Sequence, residues 1–163
     1  MTWFDYAVIG VILGSIAWGI WRGLVRETMS LAGWVIAFLA ANLFAAPVAE
    51  ILPDTIKRPE LRTLMGYVVV FLGVLVVTTA GAVLLGKIVH AIGLGSLDRT
   101  LGGLFGLLRG LLIAVAFALA AGLTTAPQKS FWRDSATAAP LEGAALALKP
   151  WLPPALGDRL KYN

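Results

Sequence analysis

The sequence predicts an all-α membrane protein: about four transmembrane helices, a short interfacial or re-entrant helix before the fourth, and a C-terminal interfacial tail. Three observations carry that prediction. First, 59% of the 163 residues are hydrophobic and 13% charged, with a mean hydropathy of +0.86, which leaves too little polar surface to cover a soluble fold. Second, the apolar residues lie in runs long enough to cross roughly 30 Å of hydrocarbon at about 1.5 Å per helical residue. Third, the 13 basic and 9 acidic residues form no clustered basic face, so the basic excess fits membrane loops and anionic lipid rather than nucleic acid.

The first run, Trp3 to Trp21, holds Asp5 as its only charge. It rises roughly 27 Å, so Trp3 and Tyr6 at one end and Trp18 and Trp21 at the other suit opposite aromatic belts. With no positive region before it and no small-residue cleavage site after it, this run is expected to remain as a helix. The second run, Thr28 to Ala49, is uncharged, contains Trp34, and is expected to stop near Pro47. The third, Thr63 to Gly86, is uncharged and valine-rich, yet too long for a strand.

The fourth run, Thr100 to Gln128, is apolar except for Arg109. A lone arginine at mid-bilayer costs about 2.5 to 3.5 kcal/mol on insertion scales, whereas Gly110 to Gln128 alone spans roughly 28 Å. The expected span therefore begins after Arg109 and leaves that side chain at an interface. Arg99 to Leu108 then becomes the short interfacial or re-entrant helix, with Asp98 as its N-cap after the Gly93-Leu94-Gly95-Ser96 turn. Beyond the spans the chain is less hydrophobic and carries Pro140, Pro150, Pro153 and Pro154. Leu141 to Lys149 reads as a short surface helix with Leu141, Ala144, Ala145 and Leu148 on one face. The expected division is thus a four-helix transmembrane domain over residues 3–128 and an extramembrane tail over 129–163.

Small residues suggest where helices approach closely. Gly102, Gly106 and Gly110 recur at every fourth position, and Gly10 with Gly14 forms a shorter GxxxG. Both read as helix-packing ridges. Gly19-Ile20-Trp21-Arg22-Gly23-Leu24 and Gly106-Leu107-Leu108-Arg109-Gly110-Leu111 also share a G-x-x-R-G-L pattern, too short to establish duplication.

Charge at the membrane edge offers the functional candidates. Arg22 and Arg26 lie four apart and share a helical face, and Glu27 is expected to pair with Arg99 or Arg109. Together with Asp98 these residues form a candidate cluster for lipid head groups, for a partner, or for structure. His90, the lone histidine, lies near Lys87 and has no visible proton-relay partners. Catalytic patterns are missing: there is no G-x-S-x-G, no H-E-x-x-H, no carboxylate cluster for a metal, and no cysteine for a thiolate site, nucleophile or lipid anchor. Neither enzyme activity, a metal nor a cofactor is expected.

Several of these motifs together resemble the colicin V production (CvpA) family of bacterial inner-membrane proteins. The matching residues are Asp5-Tyr6, the run from Arg22-Gly23-Leu24 through Val25-Arg26-Glu27, and Gly95-Ser96-Leu97-Asp98-Arg99-Thr100-Leu101-Gly102, continuing to Phe105-Gly106 and Arg109-Gly110. Trp132, Ser135 and Pro140 resemble the family's segment after the membrane helices. The resemblance covers about residues 3 to 140 and implies a non-catalytic scaffold or accessory factor for toxin production and the envelope, with membrane lipids, further inner-membrane proteins or a homo-oligomer as partners. A small oligomeric transporter or channel is the alternative. Lys and Arg do not orient the chain: Arg22, Arg26, Lys87, Arg99 and Arg109 face Lys57, Arg58, Arg62, Lys129 and Arg133 across the membrane. The family architecture and an N-terminus without Lys or Arg favour both termini outside the cytoplasm.

Overall fold

A computed structural model describes residues 1–52, 58–151 and Tyr162. Asp54 and Lys57, together with Pro153 and Pro154 of the proline-rich end, lie outside the described residues. Among those described there are six α-helices: α1 Trp3–Arg22, α2 Leu24–Ile51, α3 Pro59–Ala91, α4 Gly95–Gly122, α5 Ser130–Arg133 and α6 Ala138–Ala147. The first four are long and apolar enough to cross a membrane. The chain is therefore an all-α protein with four membrane-spanning helices.

Two compact units are present, one made of Met1–Trp21 with Gly103–Asn163 and the other of Arg22–Gly102. This division differs from the one drawn near residue 128, because the segment after α4 shares a core with α1 and the end of α4. Val8, Ala114, Ala118, Trp132, Ala138, Leu141 and Ala145 form that core.

The second unit is built on an antiparallel α2–α3 hairpin. Gly33, Ala37, Ala41, Ala45 and Ala49 fall at every fourth position of α2 and are all buried, so a stripe of small side chains lets α3 approach. On α3 a methyl added at Gly66 would collide with the Ala45 carbonyl, and one added at Gly33 would meet Thr78 Oγ1 at 2.7 Å. The hairpin is closed at one end by Arg62, whose Nε donates to Ala49 O at 2.6 Å and whose Nη2 donates to Glu50 O and Leu52 O at 2.8 and 2.6 Å. Carbonyls at the end of a helix have no partners within it, so this arginine completes α2. Its presence explains why α2 runs past Pro47 to Ile51 rather than stopping at the proline.

The fourth helix corrects the sequence reading. α4 is continuous over 28 residues from Gly95 to Gly122, roughly 42 Å, with no break before Arg109 and no separate interfacial or re-entrant helix. It also ends at Gly122 rather than Gln128. Asp98 is consequently inside the first turn of α4 rather than its N-cap, a position where a carboxylate favours the helix dipole. Arg109 lies near the middle of the helix, where Ser15 of α1 supplies acceptors. Its Nε donates to Ser15 Oγ at 3.0 Å and its Nη2 to Ser15 O at 3.3 Å. Those bonds offset part of the cost that otherwise argued for an interfacial arginine.

α6 differs too. It begins at Ala138, and its buried residues are Ala138, Leu141 and Ala145, whereas Leu148 is exposed. Its apolar face therefore packs into the first unit's core instead of lying on a surface.

Candidate functional site

Unit two places Arg22, Arg26, Glu27, Lys87, His90, Asp98 and Arg99 where α2 begins, α3 ends and α4 begins. Gly23, the N-cap of α2, has φ 81 and ψ 157, a backbone region essentially reserved for glycine. The carboxylate of Asp98 sits directly against it, so a methyl at Gly23 would collide with Asp98 Oδ2. From there Asp98 Oδ1 accepts the Val25 N–H at 2.9 Å. Asp98 thus caps α2, a different helix from the one it was expected to cap. Its own burial, 5% exposed, makes this a firm contact, because a backbone donor at a helix N-terminus is otherwise unpaired.

Arg26 and His90 belong to the same end. The Arg26 side chain crosses Gly86 of α3, where an added methyl would meet Nε at 2.7 Å. His90 Nδ1 lies 2.8 Å from Gly86 O, and its ring packs against Gly95. Glu27 is buried at 3% exposure, while Arg99 is exposed and Arg22 half-buried. Five of the six charged candidates, Arg22, Arg26, Glu27, Asp98 and Arg99, therefore fall in unit two, and Arg109 falls in unit one.

In unit one the glycines of α4 form a seam with α1. A methyl at Gly106 would collide with the Ser15 carbonyl, and one at Gly110 would lie 3.0 Å from Ile12 Cα. Gly102 is buried in unit two. Gly10 and Gly14 face open space, with nothing within 4 Å of an added methyl. Among the described residues, a methyl at either position would therefore meet no partner helix.

The sequence reading missed a second polar centre, at Asp5. This carboxylate is fully buried. Its Oδ2 accepts the Thr2 N–H at 2.7 Å, closing a capping arrangement at the start of α1. Its Oδ1 accepts Ser135 Oγ at 2.6 Å, the Thr137 N–H at 2.9 Å and Thr137 Oγ1 at 2.8 Å. Nearby, Thr2 Oγ1 donates to Phe131 O at 2.7 Å, and the buried Trp132 donates through Nε1 to Glu142. The segment after α4 is thereby latched to the beginning of α1. Two signals pointed there: a solitary acid in the first apolar run and the Trp132 to Ser135 motif. Further along, the Tyr162 hydroxyl donates to Ala118 O at 2.6 Å, and burial, reinforced by Glu142, pushes its phenol up to about 12.

These centres are built for holding the chain. Among the described residues no group of three or more His, Cys, Asp or Glu side chains is arranged to hold a metal ion.

Comparison with known proteins fits this architecture. The chain is 34% identical over 132 residues, 80% of each chain, to the colicin V production protein homolog of Haemophilus influenzae. It is 35% identical over 116 residues, 71% of each chain, to the colicin V production protein of Escherichia coli K12. No solved structure matches it significantly. The colicin V production protein family matches residues 4–146, a stretch that holds both the Asp98 cap and the Asp5 latch, and the chain belongs to that family.

Proposed function

We propose that this chain is a non-catalytic scaffold or accessory factor of the bacterial inner membrane that supports toxin production or export and maintenance of the envelope. The observation that carries this reading is how three charged groups are used: the buried Asp5 and Asp98 and the half-buried Arg109 each bond to hydroxyls or backbone of the chain itself. Groups committed to internal bonds fix a shape rather than perform a reaction. The names of the two relatives, both colicin V production proteins, support the toxin connection. In this reading both termini face the periplasm, and the cytoplasmic end carrying Arg22, Arg26 and Arg99 holds lipid or a partner protein.

A deletion strain complemented with Arg22→Ala and Arg99→Ala variants tests the role, scored for toxin output and detergent sensitivity together. The expected result is normal membrane insertion with a loss in both readouts. Full complementation by the double variant would reject the scaffold face. Selective ion or solute flux from liposomes holding the purified protein would replace scaffold with oligomeric transporter. For orientation, a reporter fused after Asn163 should be active only outside the cytoplasm.

A further inference from the structure

α3 is the least buried of the four long helices: 6% of its apolar window is buried, against 22% in each of the others. Along one exposed face Leu72, Val76, Ala80 and Val83 line an open groove of about 620 Å³, almost wholly apolar, that ends at Lys87. From Leu72 to Lys87 the helix rises roughly 22 Å, enough to lie along the roughly 15 Å that one leaflet's acyl chains span in a bilayer whose core is about 30 Å thick.

The polar end of the groove is unfinished in a particular way. Gly86, next to Lys87, is overlaid by Arg26, and Arg26 Nε is buried and donates no hydrogen bond among the described residues. A charged donor withdrawn from water without an acceptor is unfavourable, and the Asp98 carboxylate of the same unit has one oxygen on Val25 N–H and the other against Gly23. The Arg26 side chain as a whole is half-buried, so an acceptor from outside the chain can approach the guanidinium beside Nε. Phosphate oxygens suit it, with the Lys87 ammonium supplying a second positive charge.

We propose that an anionic phospholipid docks on α3, one acyl chain in the groove from Leu72 to Val83 and its phosphate between Arg26 and Lys87. This deepens the lipid-holding role proposed above and rests on that reading, but it is tested in purified protein rather than in cells. Lys87 snorkels to the head-group level while its stem lines the groove, which places the charge where a lipid phosphate lies. The apolar wall and the cation pair then select by chain and by head-group charge at once.

The test is native mass spectrometry of the full chain released from micelles doped with equal phosphatidylglycerol and phosphatidylcholine. Phosphatidylglycerol should be retained preferentially, and Lys87→Gln should lower its retention about fivefold, the effect of about one basic charge near an anionic membrane surface. Arg26→Gln should act in the same direction. Ala80→Trp fills the groove at an exposed position and should abolish the preference without loss of helix content by circular dichroism. Glycerol phosphate at the same concentration should not compete, since it lacks the chain. Equal retention of the two lipids, competition by glycerol phosphate, or an unchanged preference in Lys87→Gln and Ala80→Trp would each overturn the site. A dimer mass that Ala80→Trp removes would assign the groove to a second copy instead. Loss of the lipid preference with intact complementation by Lys87→Gln would leave the scaffold role standing. Failed complementation by the Arg22 and Arg99 variants with intact lipid retention would remove that role alone.

Discussion

The two stretches that share G-x-x-R-G-L fold differently. At Gly19 to Leu24 the chain leaves one helix and enters another, with Gly23 at φ 81 as the joint. At Gly106 to Leu111 the same pattern stays inside continuous α4. The difference lies in what meets each glycine. Gly23 meets the Asp98 carboxylate, which needs the turn in order to reach Val25 N–H. Gly106 and Gly110 meet the backbone of α1, so their lack of a side chain serves helix approach and the helical conformation is kept. A glycine in sequence thus announces permission, either for an unusual φ or for a close neighbour, and the tertiary contact decides which.

The sharpest way to break this comparison is Gly23→Ala. The methyl is opposed twice, by a backbone conformation that other residues rarely adopt and by the collision with Asp98. The expected loss of stability is at least about 3 kcal/mol, combining backbone strain with loss of a buried charge-assisted cap, read by titration with a denaturing detergent. Adding Asp98→Ala removes the collision but not the strain, so the double variant should be hardly worse than Gly23→Ala alone. If the two losses simply add, Asp98 and the Gly23 turn are not coupled as described.

How much of this was legible in the sequence depended on distance along the chain. The four spans follow from run length and charge, and they are where the apolar runs lie. The small-residue stripe from Gly33 to Ala49 has the same four-residue spacing in the sequence as the glycine ridges, but its alanines stand out less among apolar neighbours than glycines do. Contacts between remote residues were not visible. Asp5 and Ser135 are separated by 130 residues, and Arg109 and Ser15 by 94. Without Ser15 in view, the desolvation cost of Arg109 argued for an interface and a broken helix; with it, the continuous helix is explained. Likewise α6 reads as a surface helix until Trp132 and the α1–α4 core are placed beneath Leu141 and Ala145. Local periodicity gives helices and their faces, whereas the partner of a face is a tertiary property.

A smaller effect is expected at Gly106. There the backbone is ordinary helix and only space is at issue, but an added methyl would strike the Ser15 carbonyl, which cannot swing aside as a side chain could. Gly106→Ala should cost about 1 to 3 kcal/mol, the usual range for overpacking, and Gly106→Leu more. The Arg109 to Ser15 bonds should weaken with it, because separating the helices lengthens them. Unfolding curves that superimpose on those of the parent protein would show that this seam tolerates a wider spacing than the close approach implies.

The smallest effect should come from the other ridge, Gly10 and Gly14. Their spacing is that of Gly106 and Gly110, but in this chain they face open space, with nothing within 4 Å of a methyl built on either. Alanine there meets no atom, and it lowers the conformational freedom of the unfolded chain, so each substitution should shift stability by less than about 1 kcal/mol and toward the folded state. The prediction separates two meanings of GxxxG. If the motif serves only this chain's own packing, Gly10→Ala and Gly14→Ala remain neutral at every protein-to-detergent ratio. If it receives a helix from a second copy, the variants will be neutral when diluted in micelles and destabilised when concentrated, since only then does an opposing backbone occupy the space. Measuring both variants across that dilution series, alongside Gly106→Ala whose loss should not depend on concentration, distinguishes a ridge used within the chain from one turned toward another molecule.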